Sequence, residues 1–361
     1  MLCEVVSGLA ADPRFEVAFV APESSTDLVD ALRAATGNDP EASVPAQPLP
    51  LAALHLYDPR RRKSIAATLS GIDADVMLLN LPSAEYGATP LLETGALAFP
   101  VVGLMHISRT MAELGFRLGS IRTVLTRHAV RNLESVCVVC AESGRHYASN
   151  WSSPDVKITV VRLPAPVIRP GDQLLGRRDL GLPEQGTLIG MAGRLTVRQK
   201  GQDIFVDAAA QLIRDRPDLK FVLAGEGKDR ARIEKMIADR GLEQKFLLLG
   251  QVENMSAFLD AIDLIVIPSR FEGLPLIALE ALAAGVPGVT ASVDGLCDVW
   301  PPQWRVEPEQ PGQLARSLGA LLDAGESAQA DLVQSGRKQM KDLSSSDPSV
   351  DVADALERAL Q

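Results

Sequence analysis

The sequence predicts an α/β protein made of two doubly wound, Rossmann-like domains. The chain has 361 residues, which is more than one hydrophobic core usually needs and enough for two. Short apolar runs alternate with helix-favouring stretches twice along the chain, a pattern typical of parallel sheets covered by helices. A proline-dense segment, residues 163–171, separates the two series and predicts the connection between the domains.

Four segments follow from this division: a first domain over residues 1–165, a linker over 166–186, a second domain over 187–343 and a final helix over 344–361. The predicted strands of the first domain are Phe15–Val20, Val76–Leu79, Val101–Met105, Val136–Val139 and Ile158–Val161. Those of the second domain are 187–192, 220–224, 246–249, 263–267, 287–290 and about 304–306. Its predicted helices are 201–214, 229–240, 255–261 and 274–284.

Composition excludes several classes of protein. The net charge of −10 and the low aromatic content, 4%, argue against nucleic acid as the main partner. No apolar run reaches the length of a membrane span, and the first residues lack the basic start of a signal peptide. Four scattered cysteines are too few for a disulfide framework, so we expect a protein of the reducing cytoplasm.

Two glutamates eight residues apart, Glu272 and Glu280, mark the first candidate site. Glu272 follows the predicted buried strand 263–267, and Gly273 precedes a helix that ends at Gly285. The free amides of a helix N-terminus favour anionic or hydroxyl-rich ligands, and Glu280 projects from roughly the same side about two turns later. The pattern favours carboxylates that bind sugar hydroxyls. The other interpretation is a capping carboxylate and a solvated helix residue.

Arg194 and Lys200 flank another predicted crossover, from strand 187–192 to helix 201–214. Open α/β sheets bind ligands at the carboxyl ends of their strands. An arginine can bind two oxygens at once and a lysine adds a compact charge, so this pair suits a diphosphate. Basic surface residues are the other interpretation of the pair taken alone. Together with the two glutamates, it predicts one nucleotide-sugar site.

From Gly190 to about Trp300 the chain resembles the donor-binding domain of the retaining, family-four glycosyltransferases. The ordered set of short motifs is specific to that family, although no single motif is. The motifs are Gly193-Arg194, Lys200–Asp203, Leu223–Gly227, Leu249–Val252, Ala261–Asp263, Pro268–Gly273 and Glu280–Pro287. The resemblance implies the GT-B fold, in which two Rossmann-like domains face a central cleft and a C-terminal helix crosses back to the first domain.

The resemblance also implies a reaction. A retaining hexosyltransferase moves a sugar from a nucleotide-diphosphate sugar to an acceptor hydroxyl on a carbohydrate, lipid-linked or small-molecule acceptor. The donor is a substrate, and no cofactor is expected. By this resemblance Arg194 and Lys200, beside Gly193, would hold the donor diphosphate and stabilise the charge that develops on it.

The remaining donor contacts are implied in the same way. Glu272 and the amides of Gly273 and Leu274 would hold the donor sugar. Glu280 would bind the ribose hydroxyls, and the backbone near Val252 would bind the base. The two glutamates are therefore not expected to act as the acid and nucleophile of a hydrolase.

One departure from the family pattern leaves alternatives open. Family members open with a strand and a glycine-rich loop, whereas this sequence opens with a predicted helix, Leu2–Ala10. We expect either a native start upstream of Met1 or a first domain without its central strand. The alternatives are a catalytically impaired relative that binds nucleotide sugars, and another GT-B enzyme such as a nucleotide-sugar epimerase.

His106 is the candidate site residue of the first domain. It follows the predicted strand Val101–Met105 at its carboxyl end, where the family commonly has a histidine near the reacting sugar. A structural histidine is the other interpretation. Asp73 and Asp75 precede their strand on the amino side, the wrong end for a site. No other residues cluster at metal-ligand spacing, so no catalytic metal is predicted.

Residues 117–133 carry four arginines and no acidic residue. Apolar residues recur there at helical spacing, namely Leu118, Ile121, Leu125, Ala129 and Leu133. A basic amphipathic helix can lie on anionic lipid, which would give weak peripheral membrane contact. The other interpretation, which we adopt for the sequence, is that this apolar face packs against the sheet of the first domain in a soluble protein.

Overall fold

The structure, a computed structural model, describes residues 1–22, 25–44, 59–85, 88–151, 156–168, 171–344 and 347–361. The chain divides into two compact units. The first comprises Met1–Pro164 and Ser345–Gln361, and the second comprises Ala165–Ser344. Each unit is built from parallel strands and helices, which confirms the prediction of two Rossmann-like α/β domains.

Strands of the first unit form two parallel sheets within the described residues. These strands are β1 (Val20–Pro22), β2 (Ala42–Val44), β3 (Met77–Ser83), β4 (Val101–Ile107), β5 (Ser135–Val138) and β6 (Lys157–Val160). β1 pairs with β2, while β3 to β6 lie side by side in chain order. The helices are α1 (Leu2–Ala11), α2 (Thr26–Thr36), α3 (Pro59–Ser70), α4 (Ala88–Thr94), α5 (Gly119–Val130) and α6 (Ala141–Asn150).

The strand predicted over Phe15–Val20 is corrected by the structure. The strand and its register with β2 begin only at Val20, opposite Ala42. Phe15 and Val17 precede it in irregular backbone and pack, partly buried, against the apolar core. Their apolar character therefore reflects burial without strand pairing.

The apolar face predicted for residues 117–133 is wrong in its first half: Ala129 and Leu133 are buried as predicted, but Leu118 and Ile121 are not. Leu118 and Ile121 are 56% and 58% exposed, whereas the Arg122 side chain is buried. The helix packs through a side that is mostly small and polar: Gly119, Arg122, Thr123, Thr126, Ala129 and Val130. Small residues let the helix approach closely, and hydrophobicity alone does not reveal such a face.

The second unit is a six-stranded parallel sheet with helices between the strands. Its strands are β7 (Leu188–Ala192), β8 (Lys220–Ala224), β9 (Phe246–Gly250), β10 (Leu264–Ile267), β11 (Gly288–Ala291) and β12 (Arg305–Val306). Each lies within one residue of its predicted bounds. The order β9-β8-β7-β10-β11-β12 is the order of a doubly wound sheet.

Helices of the second unit connect these strands. They are α7 (Gln173–Asp179), α8 (Val197–Lys200), α9 (Gln202–Asp215), α10 (Arg230–Ala238), α11 (Met255–Ala261), α12 (Leu276–Ala284), α13 (Asp294–Val299), α14 (Pro311–Asp323) and α15 (Gly325–Leu343). A short 3₁₀ turn spans Pro302–Trp304. Strands β7, β10 and β11 are buried along their full length, which explains why they read as continuous apolar runs.

Residues 166–186, predicted as a linker, belong to the second unit. Helix α7 lies in this segment and packs against α11. The Arg177 side chain is buried there, with Nη2 2.8 Å from Oδ2 of Asp263 and Nε donating to the Ala261 carbonyl. This partly buried ion pair fixes α7 on the second unit, so the segment is part of that unit's packing.

The final helix, α16 (Pro348–Ala359), belongs to the first unit, as the sequence predicted. It packs against α1 and buries Val352 and Leu356 in that unit's core. Asp351 accepts hydrogen bonds from the backbone N–H and guanidinium of Arg162, 189 positions earlier. Among the helices of the described residues, none combines the length and apolar character that a membrane span needs.

Candidate functional site

The order of the strands in the second unit reverses between β7 and β10. Later strands in the chain lie on both sides of this pair, β8 and β9 beside β7 and β11 and β12 beside β10. Open α/β sheets bind ligands in the crevice outside the carboxyl ends of the strands at such a point. The predicted residues Gly193, Arg194 and Lys200 follow β7, and Glu272 follows β10. The topology therefore brings the two predicted clusters to the same edge.

Lys200 and Glu272 are in direct contact. The Nζ atom of Lys200 lies 2.7 Å from Oε1 of Glu272, which also accepts a hydrogen bond of 2.6 Å from the hydroxyl of Ser269. Glu272 is 5% exposed, and a carboxylate this buried requires such partners. A lysine ammonium has three donors, so the contact with Glu272 leaves Lys200 able to donate to a phosphate oxygen as well.

The turn between α8 and α9 places Lys200. Lys200 is the last residue of α8, and Gly201 after it adopts a left-handed φ of 72° that begins α9. The side chain of Lys200 extends over Gly193, where an added Cβ would stand 3.8 Å from its Cε. Gly193 has a φ of 143°, which a residue with a side chain rarely adopts. The aliphatic part of Lys200 therefore lies across the end of β7, beside Gly193.

The loop after β10 is held to the same region by Arg270. Its guanidinium binds both carboxylate oxygens of Asp203, at 2.9 and 2.8 Å, and donates to the carbonyl of Val197. Its backbone N–H donates to the carbonyl of Gln199, and its Nε donates to Glu309. Arg270 therefore joins the segment that carries Lys200 to the loop that carries Glu272. No pattern in the sequence predicted this role for Arg270.

The backbone of the Glu272 turn is fixed by the start of α13. The Glu272 N–H donates to Oδ2 of Asp294 at 2.7 Å, and the Gly295 N–H donates to the carbonyl of Gly273 at 2.9 Å. The amide of Glu272 is therefore engaged within the protein and is not among the amides assigned to the donor sugar. Asp294 was missed as well. Its signal was its place after β11, because β11 adjoins β10 in the sheet.

Helix α12 begins three residues after Gly273. Its N-cap residue is Pro275, and within the described chain no side chain caps its first amides. Unsatisfied amides at a helix N-terminus favour a negatively charged group or hydroxyl oxygens. Leu274, between the turn and the helix, is partly buried against the core of the unit.

Glu280 lies on α12 and is half-buried. Burial raises the pKa of its carboxyl group above the ordinary value of 4.5. Glu280 takes no part in the hydrogen bonds between Lys200, Ser269 and Glu272. It is therefore available as a separate acceptor, consistent with a role distinct from that of Glu272.

Two further predicted residues lie at the same edge of the sheet. Arg194 is exposed directly after β7, and its backbone carbonyl accepts a hydrogen bond from the Gln202 side chain. Val252 follows β9 and is partly buried against the core of the unit. The edge thus carries, in order along the sheet, a backbone segment after β9, cations after β7 and a carboxylate after β10.

His106 belongs to the first unit and lies near the carboxyl end of β4. Its Nε2 atom is 2.8 Å from Oδ1 of Asn80 on the adjacent β3. Burial lowers the pKa of the imidazole below its ordinary value of 6.5, which favours the neutral ring. In this part of the chain and the rest of the described residues, no three His, Cys, Asp or Glu side chains are grouped as metal ligands.

The second unit matches a known family by sequence. Residues 186–324 match the model of the family described as glycosyl transferases group 1. The chain is 34% identical to the 2-deoxystreptamine glucosyltransferase of Streptomyces kanamyceticus over 172 residues, 46% of this chain and 44% of that protein. It is 30% identical to the lipopolysaccharide core biosynthesis mannosyltransferase LpsB of Rhizobium meliloti over 210 residues, 55% of this chain and 58% of that protein. The chain thus spans about half the length of these relatives.

Solved structures resemble the whole chain. Anabaena HepE, determined in complex with UDP and glucose, has a TM-score of 0.76 at 16% identity, covering 99% of this chain and 95% of that chain. Sucrose-phosphate synthase from Thermosynechococcus elongatus has a TM-score of 0.72 at 20% identity, covering 88% of this chain and 82% of that chain. These likenesses show the fold: two parallel-sheet α/β domains of the kind found in glycosyltransferases.

Proposed function

We propose that the protein is a retaining glycosyltransferase that moves a hexose from a nucleotide-diphosphate sugar to an acceptor hydroxyl without a metal ion. The observation that carries the proposal is the contact between Lys200 and Glu272 at the point where the strand order reverses. A cation for phosphate and a carboxylate for sugar hydroxyls lie side by side there, as a nucleotide sugar requires. The match of residues 186–324 to glycosyl transferases group 1 supports a sugar-transfer function as well.

The charged residues of the site fit departure of a diphosphate. As the bond from the sugar to the nucleotide breaks, negative charge develops on the diphosphate. Arg194 and the unshared donors of Lys200 stabilise this charge, and the first amides of α12 add their partial positive charge. The two cations supply the charge that a metal ion provides in other transferases.

The two glutamates hold different parts of the donor. Glu272, buried against Lys200, accepts hydrogen bonds from the transferred sugar, and Gly273 and Leu274 contribute backbone amides. Glu280 accepts hydrogen bonds from the ribose, and the backbone near Val252 contacts the base. His106 in the first unit, whose imidazole pKa burial lowers, contributes to catalysis on the acceptor side. The acceptor hydroxyl attacks from the face that the leaving group departs from, and its proton passes to an oxygen of the departing diphosphate. Attack on this face retains the anomeric configuration.

The acceptor is a hydroxyl-rich molecule in this proposal. One relative is named for 2-deoxystreptamine, another for the lipopolysaccharide core and a third for diphosphoundecaprenol as the lipid-linked acceptor. Carbohydrate, lipid-linked and small-molecule acceptors all offer such a hydroxyl. We place the protein in the cytoplasm, where nucleotide sugars are available, and we do not expect nucleic acid as a partner because of the net charge of −10.

A donor screen tests the proposal. The protein is incubated with UDP-glucose, UDP-N-acetylglucosamine and GDP-mannose, each with 2-deoxystreptamine or a lipid-linked saccharide, and nucleotide release and glycosylated product are measured. We expect one donor to be consumed, in the presence of EDTA as well, and NMR of the product to show the anomeric configuration of the donor.

Each of the other outcomes would indicate a different function or mechanism. Nucleotide binding without turnover with any donor would indicate a catalytically impaired relative. An isomerised sugar, still attached to nucleotide, would indicate an epimerase. Activity lost with EDTA and restored by magnesium would contradict metal independence, and an inverted product would contradict retention.

A further inference from the structure

Asp294 occupies an unusual backbone position for its residue type. Its φ is 42°, in the left-handed region that residues with side chains seldom adopt, and the residue is 1% exposed. Asparagine and aspartate are the non-glycine residues that adopt this region most readily. A buried acidic residue held in this conformation indicates that its side chain makes a contact that offsets the cost.

The contact is with the turn that carries the sugar-binding carboxylate. Oδ2 of Asp294 accepts a 2.7 Å hydrogen bond from the backbone N–H of Glu272. The next residue, Gly295, donates to the Gly273 carbonyl, and an added Cβ at Gly295 would lie 2.6 Å from that oxygen. The start of α13 is therefore pressed against the Glu272–Leu274 turn, and the charge-assisted hydrogen bond fixes one end of it.

We propose that Asp294 is a positioning residue: its carboxylate fixes the backbone of Glu272 and so keeps the Glu272 side chain against Lys200 for binding of the donor sugar. This inference rests on the proposed function of the site. Asp294 does not itself contact substrate. Its effect passes through Glu272. The N–H of Glu272 donates to Asp294, and the side chain of Glu272 accepts hydrogen bonds from Lys200 and Ser269.

Two substitutions of Asp294 distinguish the effect of its backbone conformation from the effect of its side-chain hydrogen bond. Asp294→Gly suits the left-handed φ but removes the acceptor, so the fold should persist while the Glu272 N–H loses its partner. Asp294→Asn keeps an oxygen acceptor and a residue type that tolerates this φ. A purely structural role would let the Gly variant function and would give the Asn variant no advantage over it.

Nucleotide release from UDP-glucose and GDP-mannose at saturating donor measures the effect. We expect Asp294→Gly to lower kcat by about ten- to a hundredfold, the range for a hydrogen bond to a charged group. Affinity for free UDP or GDP should stay within about twofold, and Asp294→Asn should retain most of the activity. In a Glu272→Ala background Asp294→Gly should have little further effect, because the residue acts through Glu272.

Amide hydrogen exchange of Glu272 gives a readout that does not need turnover. Protection of this amide should fall in Asp294→Gly and persist in Asp294→Asn. Wild-type kcat in the Gly variant, equal loss in the Gly and Asn variants, or an undiminished effect in the Glu272→Ala background would each overturn the inference. A wild-type protein that releases no nucleotide would contradict the proposed function alone, and the exchange measurement would still decide whether Asp294 fixes the turn.

Discussion

Gly201 lies so close to Pro268 that a Cβ atom at residue 201 would stand 2.2 Å from the Pro268 carbonyl oxygen. Pro268 follows β10, and Gly201 joins α8 to α9, so this approach brings the segment bearing Lys200 onto the loop bearing Glu272. The absence of a side chain at residue 201 is therefore a condition for the ion pair between Lys200 and Glu272.

Gly201→Ala should destabilise the protein far more than Gly241→Ala. Both glycines have a left-handed φ, 72° and 65°, so each substitution costs roughly 1–2 kcal/mol for backbone conformation. At Gly201 the new Cβ also clashes with Pro268, which adds about 1–3 kcal/mol. The space around Gly241 is open, so no such clash occurs there. Chemical denaturation of the two variants checks this difference, and equal losses would contradict the close approach.

Lys200→Ala should lower sugar transfer by about two to three orders of magnitude, the usual effect of removing one preorganised donor to a developing anion. Arg194→Ala should act in the same direction. Lys235→Ala serves as the control, because Lys235 on α10 forms an exposed pair with Asp239 and its loss should leave turnover unchanged. Steady-state kinetics with the preferred donor measure all three. Wild-type turnover in both site variants would contradict their role.

Glu280→Ala should weaken binding of the free nucleoside diphosphate, because the proposed partner of Glu280 is the ribose. Glu272→Ala should leave that affinity nearly unchanged and impair sugar transfer, because the proposed partner of Glu272 is the sugar. Calorimetry with UDP and GDP alone distinguishes the two. The assignment is reversed if Glu272→Ala weakens nucleotide binding more than Glu280→Ala does.

Glu280 should also make stability depend on pH. Burial raises its pKa in the folded protein above 4.5, so the folded state disfavours the charged form. Its contribution to stability is fully present below pH 4.5 and is lost as the pH rises through the raised pKa. Glu280→Gln should therefore have a higher Tm than the wild type at pH 7, and the difference should vanish near pH 4. Glu243→Gln, at an exposed position, is the control and should show no such trend.

Helix α5 should bind anionic vesicles weakly, because its exposed face combines apolar and basic side chains. Leu118, Ile121 and Val124 are 56%, 58% and 64% exposed. The double variant Ile121→Ser and Val124→Ser should reduce co-sedimentation with anionic vesicles by about tenfold or more. Val167→Ser is the matched control, since Val167 is 92% exposed outside this helix. Equal binding by both variants, or no binding by the wild type, would contradict the prediction.

The strands of the second unit could be predicted closely because they are buried and are followed by glycine-containing turns. β7 and β10 are apolar along their whole length, and glycines follow or flank the turns at their carboxyl ends. The same apolar strands and glycines predicted Lys200 and Glu272 as site residues, because each of the two follows the carboxyl end of a strand. Their mutual contact follows once β7 and β10 are neighbours in the sheet.

Other features depended on contacts that a linear pattern does not contain. Asp294 meets Glu272 only because β11 adjoins β10, and nothing near Asp294 in the chain indicates that partner. Helix α7 was read as linker because of the prolines before it. Its N-cap, Asp172, which accepts hydrogen bonds from Leu174 and Leu175, was the visible signal of a helix start.

The first unit is assembled from two stretches of chain, one that precedes and one that follows the second unit in the sequence. Arg162 and Asp351 are hydrogen-bonded to each other although they are 189 residues apart in the sequence. During synthesis the whole of the second unit emerges before α16, so its sheet can form while the first unit still lacks the helix that covers Val5 and Leu9. A chain that ends at residue 344 would thus contain the whole second unit and an incomplete first one. Refolding of the intact chain does not impose that order.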